Sequence, residues 1–243
     1  FSTQAILVLL VLLKSKGVVG LLPFKAPSLE PLRPIFRISL PSFGERVIFH
    51  TAFLFFAGFV GHLGDVAMTA NQSLIAIESL GFMVSYGFGV AASTLVAQKL
   101  GAELPGDAAS CGWIATWMGA LVLSGIGLFF FVFADPLVRF FSDDPKVIEL
   151  AVECLLLAAL AQPLMGITDA LAGALRGAGD TKTPMLVALL GPMVVRLSAC
   201  WFLAFELEMG LFGIWVATTI DWVIRASVLA LVFQRGRWKE IEV

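Results

Sequence analysis

Long apolar runs divide the sequence into seven predicted membrane-spanning helices. The hydrocarbon core of a bilayer is about 30 Å thick, so a helix needs roughly 20 mostly apolar residues to cross it. Runs of about that length or longer occupy residues 1–22, 36–60, 66–98, 111–134, 146–172, 184–205 and 211–234. The run 66–98 is too long for one upright span. We therefore expect a tilt, a bend near Gly87 or Gly89, or a helix end that protrudes into water.

A proline-rich segment separates the first predicted helix from the other six. Four prolines fall within residues 23–34, and proline breaks helices and stiffens the chain. The pattern predicts a single leading helix over 1–22, a linker over 23–35 and a six-helix lobe over 36–243. Because the sequence begins inside an apolar run, we expect a piece of a longer protein.

The distribution of basic residues predicts the orientation. If the helix 1–22 ends in the cytoplasm, the connectors on that side hold most of the 16 lysines and arginines. Cytoplasmic connectors carry such an excess in membrane proteins. We therefore expect a multi-pass plasma-membrane protein, the inner membrane in a bacterium, with a cytoplasmic C-terminus.

Composition excludes several other classes of protein. Hydrophobic residues make up 59% of the chain, charged residues only 14%, and the mean hydropathy is +0.94, whereas soluble domains carry roughly 25% charged residues. A formal net charge of −2 argues against a nucleic-acid partner. The three cysteines lie in apolar stretches without paired spacing, so we expect no disulfide, metal or other cofactor.

Five ionisable residues fall within predicted spans, where each costs at least ~2.5 kcal/mol to insert. They are Glu78, Asp169, Arg196, Asp221 and Arg225. Asp221 and Arg225 are four residues apart and therefore share one helix face. Arg196 could join them as a second counter-charge. The network either locks the last two helices together or faces a water-filled cavity and rearranges during transport.

Glu78 is the first candidate for binding a proton or an alkali cation. Asn71, Ile75 and Glu78 lie on one helix face, so an amide accompanies the carboxylate. The alternative is an ion pair between Glu78 and either Arg196 or Arg225.

Asp169 is the second candidate, because it follows Pro163 in the same predicted helix. A proline leaves a backbone carbonyl unpaired one turn earlier. Such carbonyls, with Asp169 and Thr168, would resemble an oxygen-rich cation site, although a simple helix kink is the alternative. Glu45, near the cytoplasmic end of its helix, is a weaker candidate and is more typical of an interface anchor.

The sequence does not favour an enzyme. Residues 177–180 fit the GxGD string of intramembrane aspartyl proteases, but Asp180 lies in a charged connector rather than at membrane depth. No HExxH or P-loop string is present, so we expect neither metalloprotease chemistry nor ATP-driven transport by this chain.

Several strings together resemble the C-terminal lobe of the multidrug and toxic compound extrusion (MATE) family. They are Leu40-Pro41, Ala70-Asn71-Gln72, Ile77-Glu78-Ser79-Leu80, Gly87-Phe88-Gly89, the run 94–102, the run 173–181, and Gly213-Ile214-Trp215 with Asp221 and Arg225. The resemblance covers residues 36–243, and 1–22 resembles the last helix of the N-terminal lobe.

The resemblance implies an all-α integral membrane protein of twelve helices in two six-helix lobes. It implies export of small organic, often cationic, compounds in exchange for Na⁺ or H⁺. The missing N-terminal lobe and membrane lipid would be its partners. Side chains that could line the substrate cavity are Asn71, Gln72, Phe82, Met83 and Tyr86, although helix packing would also account for the last three. A flippase for lipid-linked precursors and an inactive half-transporter or scaffold are the alternatives.

Two of the family's acidic positions fall out of register here. The resemblance places a glutamate of the first helix near Phe49 or His50 rather than at Glu45. It places an aspartate near Met165, one turn before Asp169. Glu78, Asp221 and Arg225 instead lie directly within the matching strings.

Overall fold

The computed structural model describes the backbone of residues 32–240, and the side chains from His50 to Lys239 with a few before them. The predicted helix 1–22 and most of the linker 23–35 lie outside these residues, so the three-part division stays a prediction. The account below concerns the compact unit Leu40–Val243, as far as it is described.

Every element in this part of the chain is helical. The helices are α1 (Leu32–His62), α2 (Asp65–Gly101), α3 (Pro105–Val132), the short α4 (Ala134–Arg139), α5 (Pro145–Gly177), α6 (Lys182–Glu206) and α7 (Gly210–Arg235), followed by a 3₁₀ turn at Arg237–Glu240. The predicted all-α fold is confirmed.

Five of the described helices are long and apolar enough to cross a membrane: α2, α3, α5, α6 and α7. Their bounds extend the predicted spans by a few residues at most ends. Helix α1 covers the predicted span 36–60, but many of its side chains lie outside the described set, so this span stays a prediction.

Helix α2 is helical without interruption through Gly87 and Gly89. Its 37 residues correspond to about 55 Å, well beyond the ~30 Å hydrocarbon core. Tilt or protrusion, rather than a break at a glycine, therefore accommodates its length.

Helix α5 lies at the centre of the lobe and packs along α2, α3 and α7. Its contact with α2 depends on small residues one turn apart. A Cβ atom built on Gly173 would overlap the backbone of Gly89, and one on Gly177 would overlap that of Ser93. Only the absence of side chains at these glycines lets the two helices approach so closely.

Glycines also allow α5 and α3 to approach closely. A Cβ on Gly166 would lie 2.8 Å from the carbonyl oxygen of Gly119, and one on Gly127 would overlap the carbonyl oxygen of Ala159. Ala159 precedes Pro163 by one turn, so its carbonyl lacks the usual helical donor. Glycine therefore packs against the carbonyl that the proline leaves unpaired, and α5 continues through Pro163.

Helix α6 departs from α-helical geometry in two places. It is π-helical over Leu190–Arg196 and again over Phe202–Glu206. A π-helical turn contains an extra residue and is frequent at functional sites. Near its end, Trp201 and Phe205 pack against Phe59 of α1, with ring centroids 6.0 and 5.9 Å away.

Candidate functional site: a buried polar column

Polar side chains recur every seven residues along the buried face of α2. Asn71, Glu78 and Ser85 are all buried, and Glu78 is only 6% exposed. Seven residues complete nearly two helical turns, so the three side chains form a row about 21 Å long.

Helix α5 supplies the partners of two residues in this row, Glu78 and Ser85. Gln162 and Asp169, again seven residues apart, face Glu78 and Ser85. The Gln162 amide donates to Oε1 of Glu78 at 3.5 Å, and the Ser85 hydroxyl donates to Oδ2 of Asp169 at 2.6 Å. We call these five residues, Asn71, Glu78, Ser85, Gln162 and Asp169, the polar column.

The Ser85–Asp169 pair can accommodate either protonation state of the carboxyl group. The Ser85 oxygen also lies 3.1 Å from the carbonyl oxygen of Met165. When Asp169 is ionised, Ser85 donates to it. When Asp169 is protonated, it can donate to Ser85, whose own proton then goes to the Met165 carbonyl. A change of protonation therefore leaves neither group without a hydrogen bond.

The Glu78–Gln162 pair has a similar capacity. The hydrogen bond at 3.5 Å is long and weak. The other amide atom, Oε1 of Gln162, is buried without a partner in the described part of the chain. Rotation of the amide group would turn that oxygen toward a protonated Glu78, which could then donate to it. Gln162 can thus serve as donor or acceptor to Glu78.

A second group of charges joins α6 to α7. Asp221 is fully buried, and its Oδ2 accepts hydrogen bonds from Nε and Nη2 of Arg196 at 2.9 and 2.6 Å. Nη2 of Arg225 lies 3.0 Å from the same oxygen. The predicted network of these three residues is confirmed, and it joins the last two long helices. We call Arg196, Asp221 and Arg225 the charge triad.

The ring of Trp222 packs against the guanidinium groups of Arg196 and Arg225. Cζ of Arg225 lies 3.8 Å from the centre of the Trp222 ring and that of Arg196 lies 5.8 Å away, both within the range of cation–π attraction. Phe82 of α2 packs against the same ring at 6.2 Å.

The π-helical part of α6 approaches the charge triad closely. A Cβ on Gly191 would lie 2.6 Å from both Oδ1 of Asp221 and Cδ of Arg225. Gly191 therefore lets the α6 backbone approach the ion pair closely.

The polar column and the charge triad interact electrostatically. Arg196 attracts the carboxylate of Glu78, and Arg225 attracts that of Asp169. Glu78 does not, however, form a direct ion pair within the described residues, since its hydrogen-bond partner is Gln162. Counted over the five ionisable groups, three carboxylates face two guanidiniums. One proton or one monovalent cation would neutralise the excess negative charge.

The predicted cation site behind Pro163 is not assembled. The unpaired carbonyl of Ala159 packs against Gly127, about 15 Å along the helix from Asp169. The Thr168 hydroxyl donates to the carbonyl of Leu164 at 2.8 Å. Asp169 instead belongs to the polar column through Ser85.

The structure separates the predicted cavity residues into two sets. Asn71 lies in the polar column, and Phe82 is half-buried against Trp222. Gln72, Met83 and Tyr86 are on the exposed surface of α2, with Met83 75% and Tyr86 59% exposed.

The remaining acidic candidates lie elsewhere. The side chain of Glu45 is outside the described set. Asp180 caps the start of α6, where it accepts from the backbone and hydroxyl of Thr183 at 3.0 and 2.6 Å. This position agrees with its assignment to a connector.

Sequence reasoning missed Ser85, Gln162 and Trp222. The seven-residue spacing from Asn71 through Glu78 to Ser85, repeated between Gln162 and Asp169, was a signal that could have found the first two. Trp222 has no such signal, because its partners come from a different helix as well as its own.

Comparison with known proteins agrees with the resemblance seen in the sequence. A family model described as MatE matches residues 41–202. A probable multidrug resistance protein NorM of Thermotoga maritima is 30% identical over 224 residues, which are 91% of this chain and 47% of the relative. A protein of the same description from Brucella suis is 35% identical over 87% of this chain and 46% of its own length.

Solved structures share the fold. The outward-facing form of a multidrug resistance MATE family transporter of the MOP superfamily has a TM-score of 0.80 and 21% identity, over 88% of this chain and 48% of that one. A MOP superfamily transporter from Pyrococcus furiosus gives a TM-score of 0.77 with 22% identity, over 82% of this chain and 44% of that one. The chain thus spans about half the length of the curated relatives it matches. With a family model that matches most of its described length, the chain belongs to the multidrug and toxic compound extrusion family.

Proposed function

We propose that this chain is one lobe of an exporter that moves small organic cations out of the cell in exchange for an entering cation. The proposal rests on the family, whose relatives are named as multidrug resistance proteins, and on the buried ionisable groups of the lobe. A second lobe, of about the length by which the relatives exceed this chain, would complete the transport path.

The observation that carries the coupling role is the environment of Glu78. A buried carboxylate at membrane depth faces an amide that can donate or accept, and it has no direct ion pair among the described residues. Such groups are costly in a membrane and mark ion pathways or proton relays. We propose the proton as the coupling ion, with Asp169 and Ser85 as a second proton-accepting pair.

Protonation would act on α6 through Arg196. An ionised Glu78 attracts Arg196, which is held by Asp221. A proton on Glu78 removes that attraction and leaves Arg196 wholly with Asp221. Because Arg196 ends a π-helical stretch, a small change in helical winding would let it shift between the two carboxylates. The proton would thereby bias the position of α6.

Replacement of Glu78 by Gln in the complete protein should reduce proton-driven export. Glutamine keeps the size of the side chain but cannot bind and release a proton. Export should fall about 5- to 150-fold, the range of a coupling free energy of 1–3 kcal/mol. The measurement is uptake of a fluorescent organic cation into inside-out vesicles, with proton and sodium gradients imposed separately.

Asp107→Asn is the matched control, since Asp107 is exposed and pairs only with Lys99 at 3.3 Å among the described residues. It should export as the wild type does. Full export by Glu78→Gln at equal membrane abundance would contradict the coupling role. Uptake driven by sodium alone would replace the proton with sodium, and no uptake under either gradient would favour the flippase or the inactive scaffold.

Asp169→Asn and Ser85→Ala test the second pair. Asparagine can still accept from Ser85, so the fold should survive while the titrating group is lost, and export should fall about fivefold or more. Ser85→Ala removes one hydrogen bond, worth about 1 kcal/mol. If the two groups act together, the double variant should export no less than Asp169→Asn alone. Additive losses in the same vesicle assay would show that they act independently.

A further inference from the structure

An open cavity of about 390 Å³ lies on the surface of the lobe, where α3, α5 and the start of α7 meet. None of the polar-column residues lines it, although Leu160 is only two residues from Gln162 in the chain. Its lining consists of five large apolar side chains and one carboxylate: Phe131, Leu156, Leu157, Leu160, Phe212 and Glu153.

The length of α5 places the carboxylate of Glu153 close to the boundary between the hydrocarbon core and the lipid headgroups. Helix α5 has 33 residues, about 50 Å, so it exceeds the ~30 Å hydrocarbon core by about 10 Å at each end if the excess is shared. Glu153 is eight residues from Pro145, or about 12 Å. Leu160 is two turns deeper. The acidic end of the cavity is therefore near the membrane interface and its apolar wall lies within the hydrocarbon.

The surface beside the cavity is suited to lipid. Helix α3 carries no charged residue between Ala108 and Val132. Large apolar side chains, among them Trp117, Leu121 and Leu128, are exposed along it. A helix face that is apolar over its whole length is typical of contact with acyl chains.

From these observations we infer that the cavity binds a membrane phospholipid whose headgroup carries a primary ammonium. The ammonium pairs with Glu153, for which the described residues offer no cation, and an acyl chain lies along Leu156, Leu157 and Leu160. A carboxylate exposed at this depth selects a positive group, and the apolar walls select a hydrocarbon chain. An ethanolamine phospholipid supplies both, and its three N–H groups can donate to the carboxylate.

Native mass spectrometry of the complete protein tests this inference. The purified protein is mixed with equal amounts of ethanolamine, choline and glycerol phospholipids that carry identical acyl chains. We expect the ethanolamine lipid to be retained about threefold more than the choline lipid, because only its ammonium can donate hydrogen bonds to the carboxylate. The choline headgroup has the same charge but no N–H, and the anionic glycerol lipid should be retained least.

Glu153→Gln should abolish the preference for ethanolamine, whereas Glu149→Gln should keep it. Glu149 is exposed one turn nearer the N-terminal end of α5 and does not line the cavity. Glu149→Gln therefore tests whether removal of a nearby surface charge is enough to change lipid binding. The inference is overturned if the preference persists in Glu153→Gln, or if Glu149→Gln removes it equally. It is also overturned if the wild type retains no lipid, as expected if another part of the protein covers the cavity. None of these outcomes depends on export activity.

Discussion

Asp221→Asn should destabilise the protein by about 3 kcal/mol or more. Asp221 is fully buried and is the shared partner of two guanidiniums, Arg196 and Arg225, whose side chains are 16% and 9% exposed. Asparagine leaves both positive charges buried without the carboxylate that compensates them, and an uncompensated buried charge costs about 3–5 kcal/mol. The free energy of unfolding, measured by titration with a denaturing detergent, gives the loss directly.

The exposed pair of Asp135 and Arg139 is the matched control. Its two side chains are also four residues apart and meet at 2.6 Å, but the side chain of Asp135 is 54% exposed and that of Arg139 is 60% exposed. The pair holds the pKa of Asp135 below its ordinary value through the hydrogen bond from Arg139, yet solvent screens it. Asp135→Asn should therefore leave stability unchanged.

A second variant separates loss of charge from general damage to the site. Removal of Arg225 together with the carboxylate, as in Asp221→Asn with Arg225→Met, takes away one of the two uncompensated charges. The double variant should recover part of the stability that Asp221→Asn loses. If Asp221→Asn proved as harmless as Asp135→Asn, the charge triad would have no part in holding α6 to α7.

Gly173→Ala should also cost about 3 kcal/mol, although alanine is normally the better helix former. The added Cβ would lie 2.7 Å from the carbonyl carbon of Gly89 and 2.8 Å from its Cα. Backbone atoms cannot rotate away as a flexible side chain can, so α2 and α5 must separate. Overpacking of this kind costs about 1–3 kcal/mol, and further contacts along the two helices are lost with it.

Gly87→Ala should instead increase the stability of the protein. Nothing lies within 4 Å of a Cβ built at Gly87, and replacement of an interior helical glycine by alanine stabilises a helix by up to about 1 kcal/mol. Thermal unfolding of the two variants in one detergent compares them directly. Equal midpoints would show that the close approach of α2 to α5 does not contribute to stability.

The membrane-spanning helices could be predicted because a long run of apolar residues along the chain is enough to identify one. Runs such as 146–172 and 211–234 lie within α5 and α7, and glycine or proline marks most helix ends. The pairing within the charge triad was also accessible, since Asp221 and Arg225 share a helix face and Arg196 was the nearest unused cation. The predicted span 36–60 lies within α1 and stays a prediction.

The contacts between α2 and α5 within the polar column could not be predicted from the pattern of residues along the chain. A sequence shows which residues share a face of one helix, but not which helix faces it. An ion pair between Glu78 and an arginine was one of the two alternatives for this residue, whereas α5 presents Gln162 to it. The oxygen-rich site expected at Pro163 failed for a similar reason, since Gly127 of another helix covers the freed carbonyl. The coupling roles of these groups and that of Glu45 stay predictions.

Because α2 and α5 approach closely at Gly89 and Gly173, a rotation of α2 about this contact would move the two ends of the polar column by different distances. Ser85 is four residues from Gly89, about 6 Å along the axis, and Glu78 is eleven residues away, about 16 Å. If α2 turned by about 5° about this pivot, the Ser85 end would move by about 0.5 Å and the Glu78 end by about 1.4 Å. The short Ser85–Asp169 hydrogen bond would survive such a rotation, whereas the 3.5 Å contact between Glu78 and Gln162 would open. Under the proposed proton coupling, the two carboxyl groups would then exchange protons at different stages of one movement.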